Sequence, residues 1–250
     1  KLVVGFLNDV LHRNSARTRN NYKTDLSSIT QVLVDNEIIE QNFIKKIPNL
    51  KSIPERNKTY SQNIQEEIFE YLEVHDPILL LYIKFIAYNF LRPIEVCRLK
   101  VKDIDIENKR VQFKAKNSPL KTKIIPELLW MELPDLTKLD KEAVLFTPEK
   151  IGGEWDTLVD NRRDYFSKRF RKVVKEHFKL GINYGLYSFR HTYITKVYRA
   201  LMKDSSPFEA KSKLMLITGH SSMTALEKYL RDIDAELPED YSTMLKNVNE

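Results

Sequence analysis

Three short stretches of this chain gather side chains suited to holding a phosphate. They are Leu91-Arg92-Pro93, Leu186-Tyr187-Ser188-Phe189-Arg190-His191-Thr192, and Thr218-Gly219-His220-Ser221-Ser222, with Tyr229 nine residues after His220. Arg92 stands at a helix break, because the residue before a proline is steered away from helical backbone angles. Ser188 is a fair helix cap, which puts Arg190 and His191 in the first turn of the helix that follows. An arginine there lies beside backbone N–H groups with no helical partner, and guanidinium and amides together suit a phosphate. Gly219 fits a helix end, so His220 sits in a tight turn before a second helix capped by Ser221 or Ser222. Tyr229 falls near the end of that helix, where a loop histidine and a helix tyrosine can face one pocket. Each residue alone is commonplace in a chain with 41 basic residues and 12 tyrosines. The ordered combination singles them out.

These residues need a scaffold, and the hydrophobic periodicity supplies a mainly helical one. Asn14 to Arg19 lead into a run through Tyr22, Leu26, Ile29, Val32 and Leu33, an amphipathic helix expected to end near Asn36. A short helix around Asn42 to Lys46 follows, and Pro48, Pro54 and the charged stretch Glu55 to Lys58 read as a linker. The domain boundary is placed there, giving units 1–56 and 57–250. The first, at about 55 residues, is near the lower limit for an independent domain. As the chain starts at Lys1, a preceding segment is expected to complete that core. Ser61 caps a helix carrying Ile64, Ile68, Phe69 and Leu72, and Asp76-Pro77 opens a more buried helix running to Phe90. Pro93 starts another with Val96, Cys97 and Leu99. Val101 to Ile106, Arg110 to Lys114 and Lys123 to Ile125 predict a three-stranded antiparallel sheet. From Asp160 to about Arg231 the pattern is helical throughout. The expected class is mainly α with a small antiparallel β-sheet (α+β), without internal repeats or heptads.

Composition narrows the partners. Apolar residues at 42% and charged residues at 30%, with 6 Gly and 10 Pro, exclude a collagenous, low-complexity or largely disordered chain. The most apolar stretch, Pro77 to Phe90, is broken by Lys84 and Asn89 and falls short of the roughly 18 residues a membrane helix needs, so no membrane partner is expected. The single cysteine, Cys97, leaves no disulfide framework, and without a secretory signal the chain is expected in the cytoplasm. The net charge of +6 is uneven: Arg231 to Glu250 holds six acidic and two basic residues, so the first 230 residues carry +10. Such a surplus fits a polyanionic partner. There is no carboxylate pair or histidine cluster at metal-ligand spacing, no P-loop and no dinucleotide fingerprint, so neither metal nor cofactor is expected.

Leu91-Arg92-Pro93-Ile94-Glu95-Val96, Phe189-Arg190-His191-Thr192, Gly219-His220-Ser221 and Tyr229, in that order, resemble the boxes of the tyrosine recombinase family, also called phage-type integrases. The first box pairs an arginine with a glutamate three residues on, the second and third supply an arginine and a histidine, and the tyrosine is the nucleophile. The resemblance covers about Tyr60 to Leu230 as catalytic domain, while Ala16 to Pro48 is similar to the final helices of the family's core-binding domain. One box departs from the pattern. The second commonly begins with a histidine three residues before its arginine, where this chain has Tyr187. A tyrosine hydroxyl can donate one hydrogen bond to a phosphate but brings no cation, and His191 is out of register for the role.

The resemblance implies a site-specific recombinase or integrase, of a mobile genetic element, acting in a bacterial cell and on the nucleoid when bound. It would cut and rejoin double-stranded DNA as a dimer or tetramer. A type IB topoisomerase-like enzyme and an inactive DNA-binding module of the same fold are the alternatives. In the implied site Arg92 and Arg190 clamp the scissile phosphate. Tyr229 attacks it, leaving a 3'-phosphotyrosyl link that conserves the bond energy. His220 donates to the phosphate or assists Tyr229, and Glu95 orients its neighbours, with Tyr187 and His191 in support. The family's catalytic lysine lies on the hairpin joining the second and third strands. Lys116 is the choice here, to protonate the departing 5'-oxygen, and Lys114, Lys121 and Lys123 compete with it. Arg17, Arg19, Lys23, Lys114, Lys121 and Lys123 are expected on the DNA backbone. The acidic tail, 232–250, is expected to dock on a neighbouring protomer on DNA, the alternative being that it packs back on its own domain or frays.

Overall fold

The structure, a computed structural model, describes residues 1–52, 57–115, 120–236 and 242. Lys116 and most of the acidic tail lie outside the described residues. The chain divides into two compact units, Lys1–Glu55 and Arg56–Glu250.

In the first unit α1 (Leu2–Arg13) packs on α2 (Ala16–Asp35), and a 3₁₀ turn at Phe43–Lys46 closes on α2. Ser15 caps α2 as its hydroxyl accepts from the Thr18 amide at 3.2 Å. The sequence reading does not predict α1, where only Leu7 is buried while Leu2, Val4 and Phe6 are exposed, so no clean apolar stripe marks it. Arg19 corrects an expectation. It is 4% exposed, and its Nη1 donates to the Pro48 carbonyl at 2.7 Å, so it ties this unit together and is not available to a DNA phosphate. Arg17 is exposed, and Lys23 donates to Asn49 Oδ1 at 3.0 Å.

The second unit opens with α3 (Gln62–His75) and α4 (Pro77–Tyr88), capped by Ser61 and Asp76. Asp76 also holds Arg169 through two hydrogen bonds of 2.6 and 2.7 Å. Leu79, Tyr82, Ile83, Phe85 and Ile86 of α4 are fully buried. Phe166 stacks on Tyr82 with ring centres 4.2 Å apart, and Phe146 meets both Tyr82 and Phe85 edge-on. Each such side chain contributes about 1.5–3 kcal/mol on burial, which makes α4 the axis of the core.

After Tyr88 the chain turns through Phe90, at φ 54, into α5 (Pro93–Val96). An antiparallel sheet follows: β1 (Ile104–Asp105), β2 (Arg110–Lys114) and β3 (Leu120–Ile124), with Val111 opposite Lys123. β1 is shorter than expected because Val101–Asp103 coil into a 3₁₀ turn, where Asp103 accepts from the Lys100 amide. The third strand starts earlier than the sequence suggests. A short α6 (Glu127–Trp130) leads to an unforeseen hairpin of β4 (Val144–Phe146) and β5 (Ile151–Gly153). All three residues of β4 are buried, so the alternation that marks a strand is missing.

α7 (Val159–Phe170) runs on into a wider π turn at Arg171–Lys175. The helical stretch is then interrupted before α8 (Leu186–Lys203), α9 (Pro207–Thr218) and α10 (Met223–Asp232). Ile194 and Tyr198, Ala210 and Leu214, and Leu226 and Leu230 form a second core from these three helices. Phe90 belongs to it, which fastens the corner after α4 to the C-terminal helices.

Candidate active site

Arg92 is fixed by a neighbour in sequence. Its Nη1 lies 2.8 Å from Glu95 Oε1, and its own amide donates to Glu95 Oε2, also at 2.8 Å. Glu95 is 2% exposed, whereas 44% of the Arg92 side chain remains open to solvent. A buried carboxylate thus holds the arginine at a helix start and leaves one face free for an anion. Tyr187 adjoins Arg92, and its ring centre is 5.3 Å from that of His191.

Arg190 is placed by distant contacts. It is 2% exposed, its Nε donates to the Phe90 carbonyl at 2.9 Å, and its Cζ lies 5.2 Å from the Tyr229 ring centre. The expected cap is corrected here. α8 begins at Leu186, and Ser188 accepts from the Gly185 amide at 3.1 Å instead of capping the helix itself. Arg190 therefore sits in the second turn, away from the free amides, and offers an anion its guanidinium alone.

Gly219 ends α9 in the left-handed conformation, φ 75, which glycine adopts without steric cost. Ser222 caps α10, accepting from Ala225 at 3.2 Å, and Leu226 and Leu230 anchor that helix. Tyr229, between them in sequence, is thereby turned onto α8, its hydroxyl 2.6 Å from His191 Nδ1. His220 lies across the same ring, centre to centre 5.2 Å, with Nδ1 2.6 Å from Thr218 Oγ1.

Lys123 locks these pieces together. Its ammonium donates to the carbonyls of Asn89 and Thr218, both at 2.9 Å, and lies 5.6 Å from the Phe113 ring centre. It joins β3 to the end of α4 and the end of α9. This corrects its assignment to the DNA backbone: the charge is engaged inside the fold. Lys121 donates to the Gly219 carbonyl at 3.1 Å, and Lys114 is exposed. Asn89, Phe90 and Thr218 are site-building residues that sequence reasoning missed. The only signal for them is their place at the two breaks already noted.

The electrostatics follow from enclosure among cations. Burial, reinforced by Arg190, Arg92, Lys123 and Lys121, pushes His220 down to about 4. Burial and Arg190 take His191 to about 4 as well. Burial pushes the Tyr229 hydroxyl up to about 12, with Arg190 pulling the other way. Lys123 falls to about 7 through burial and the charges of Arg190 and Arg92, against the pull of Glu95. Near neutral pH the site thus holds two permanently charged arginines, two neutral histidines and a protonated tyrosine. The charges of Arg92 and Arg190 both bear on His220, Lys123 and Tyr229 of this site. Beside it a cleft of about 570 Å³ carries Arg92, Tyr187, Arg163, Arg171 and Lys175 in its wall. Among the described residues no cluster of His, Cys, Asp and Glu can hold a metal ion.

Neither family models nor curated proteins match the sequence. Solved structures do match. A lambda integrase dimer bound to a COC' core site aligns with a TM-score of 0.71 at 13% identity, over 95% of this chain and 81% of that one. The Tn1549 transposon integrase in complex with transposon right-end DNA aligns at 0.65 and 17% identity, over 99% of this chain and 83% of that one. Sequence identity this low carries the architecture alone, and the architecture of this chain is the tyrosine recombinase (integrase) fold.

Proposed function

We propose that this chain is a site-specific recombinase or integrase of a mobile genetic element that cuts and rejoins double-stranded DNA through a covalent tyrosine link. What supports this reading is that the Arg190 guanidinium and the His220 ring both lie against the Tyr229 ring, with the charges of Arg190 and Arg92 bearing on its hydroxyl. A phosphodiester resists cleavage because its charge repels nucleophiles and more charge develops on its oxygens in the transition state. Two fixed guanidinium groups answer that charge. Tyr229 Oη attacks phosphorus, and the 5'-oxygen leaves with a proton from the hairpin lysine, assigned to Lys116. The phosphotyrosyl bond conserves the energy for rejoining, so no nucleotide is required. The first unit acts as the end of a core-binding domain, with Arg17 and Lys23 on the DNA backbone, and protomers associate on DNA inside the bacterial cell.

A duplex with a nick beside the cleavage position tests the reading. The wild-type protein is expected to accumulate a covalent adduct that is lost in Tyr229→Phe. Binding without any adduct would instead favour an inactive module. Adduct formation without strand exchange between two duplexes would favour a topoisomerase-like enzyme.

A further inference from the structure

We propose that His191, rather than His220, takes the phenolic proton of Tyr229 as that oxygen attacks the phosphate, an assignment that rests on the strand-cleaving reading above. Two histidines flank the tyrosine, and their hydrogen bonds give them different capacities. Thr218 Oγ1 donates to the Leu214 carbonyl at 2.8 Å, so its contact of 2.6 Å with His220 Nδ1 is one in which it accepts. His220 Nδ1 therefore carries a hydrogen, and a neutral His220 presents a bare Nε2. It can donate to a phosphate oxygen only after taking up a proton from solution. The Tyr229 hydroxyl lies 2.6 Å from Nδ1 of the other histidine, His191, and in the tautomer with its hydrogen on Nε2 that nitrogen accepts from the phenol. Arg190, adjacent on α8, and the Tyr187 ring 5.3 Å away are the other charged and titratable neighbours of that imidazole.

At rest the proton stays on oxygen, because Tyr229 is pushed up to about 12 and His191 down to about 4. Transfer runs downhill only as the Oη–P bond forms and the phenol oxygen becomes that of an aryl phosphate ester, which is no longer basic. In that step an Oη lone pair makes the new bond to phosphorus, and the P–O5' bond breaks with its electron pair left on O5'. O5' takes a proton from the hairpin lysine, and the phenolic proton passes to His191 Nδ1. Rejoining runs the same path backwards, with His191 returning the proton to the departing tyrosine.

Single-turnover cleavage of two DNA substrates tests this, one with the natural bridging O5' and one with sulfur there, since a thiolate leaves without protonation. His191→Asn keeps an acceptor near the Nδ1 position but cannot take a proton. It is expected to bind DNA as the wild type does, to cleave about 100-fold more slowly, and to gain nothing from the sulfur substrate. Lys116→Ala, as control, is expected to recover on sulfur. Cleavage by His191→Asn within a few-fold of wild type would overturn the assignment, as would its rescue by sulfur, which would put the histidine on the leaving-group side. Should His191→Asn fail to fold, His191→Ala with added imidazole decides: recovery that tracks the free base supports the assignment and its absence overturns it. A wild-type protein that forms no adduct would instead sink the strand-cleaving reading.

Discussion

The two arginine corners of the second unit are built by opposite means. Arg92 is held by Glu95, three residues away, in a buried carboxylate contact that leaves much of its side chain in solvent. Arg190 is held by the Phe90 carbonyl, 100 residues away, and by the face of Tyr229, neither of which carries a charge. One corner is local, neutralised and open. The other is assembled from afar, buried and still positive. A buried cation held by neutral partners has lost much of its hydration, so an arriving phosphate gains more there than at the surface. On the proposed reading both arginines contact the reacting phosphate, and this difference makes the buried one the stronger contributor.

Substitution of each arginine is the strongest way to break that comparison. Arg190→Lys retains a charge but loses the planar fork and its contact with Phe90, and adduct formation is expected to fall about 1000-fold, against about 100-fold for Arg92→Lys. Single-turnover assays that found Arg92→Lys the more damaging would reverse that order.

Acid sharpens the comparison, because it acts on the buried corner. His191 and His220 bind protons less readily folded, at about 4, than unfolded, near the ordinary 6.5. Stability is then fully present above 6.5 and is lost as pH falls toward 4, by a few kcal/mol at about 1.4 kcal/mol per unit of depression. Urea titrations at neutral and mildly acidic pH should show that loss, and replacing both histidines with Gln should shrink it. Lys123 has the same sign on the alkaline side: with a folded value of about 7, it favours the folded state increasingly as pH rises toward 10.5. An acid response that survives removal of both histidines would place its origin elsewhere.

The smallest effect is expected at Gly219. Alanine there would sit at φ 75, with its Cβ 3.1 Å from the Lys123 side chain. The backbone penalty of about 1–2 kcal/mol should appear in denaturant unfolding. A shift of Lys123 should slow cleavage a few-fold. A neutral Gly219→Ala would mean that the turn before His220 tolerates rearrangement.

The sequence by itself determined what its own short-range hydrogen bonds enforce. Ser15, Ser61, Asp76 and Ser222 cap helices through amides three residues away, and Gly219 turns left-handed at the end of its helix, so these four helix starts and the break before His220 could be read directly. The types and order of Arg92 and His220 were legible beside the Pro93 break and the Gly219 turn, whereas Arg190 was placed from Ser188, which does not cap α8. Tertiary structure alone decided which basic residues face inward. Arg19 turns under Pro48, 29 residues on, and Lys123 spans carbonyls 34 and 95 residues away in opposite directions. It also decided that Tyr229 meets His191, 38 residues back, and that β4 is buried on every side. Local rules act through hydrogen bonds within one helical turn, whereas these pairings depend on which distant surfaces the apolar core brings together.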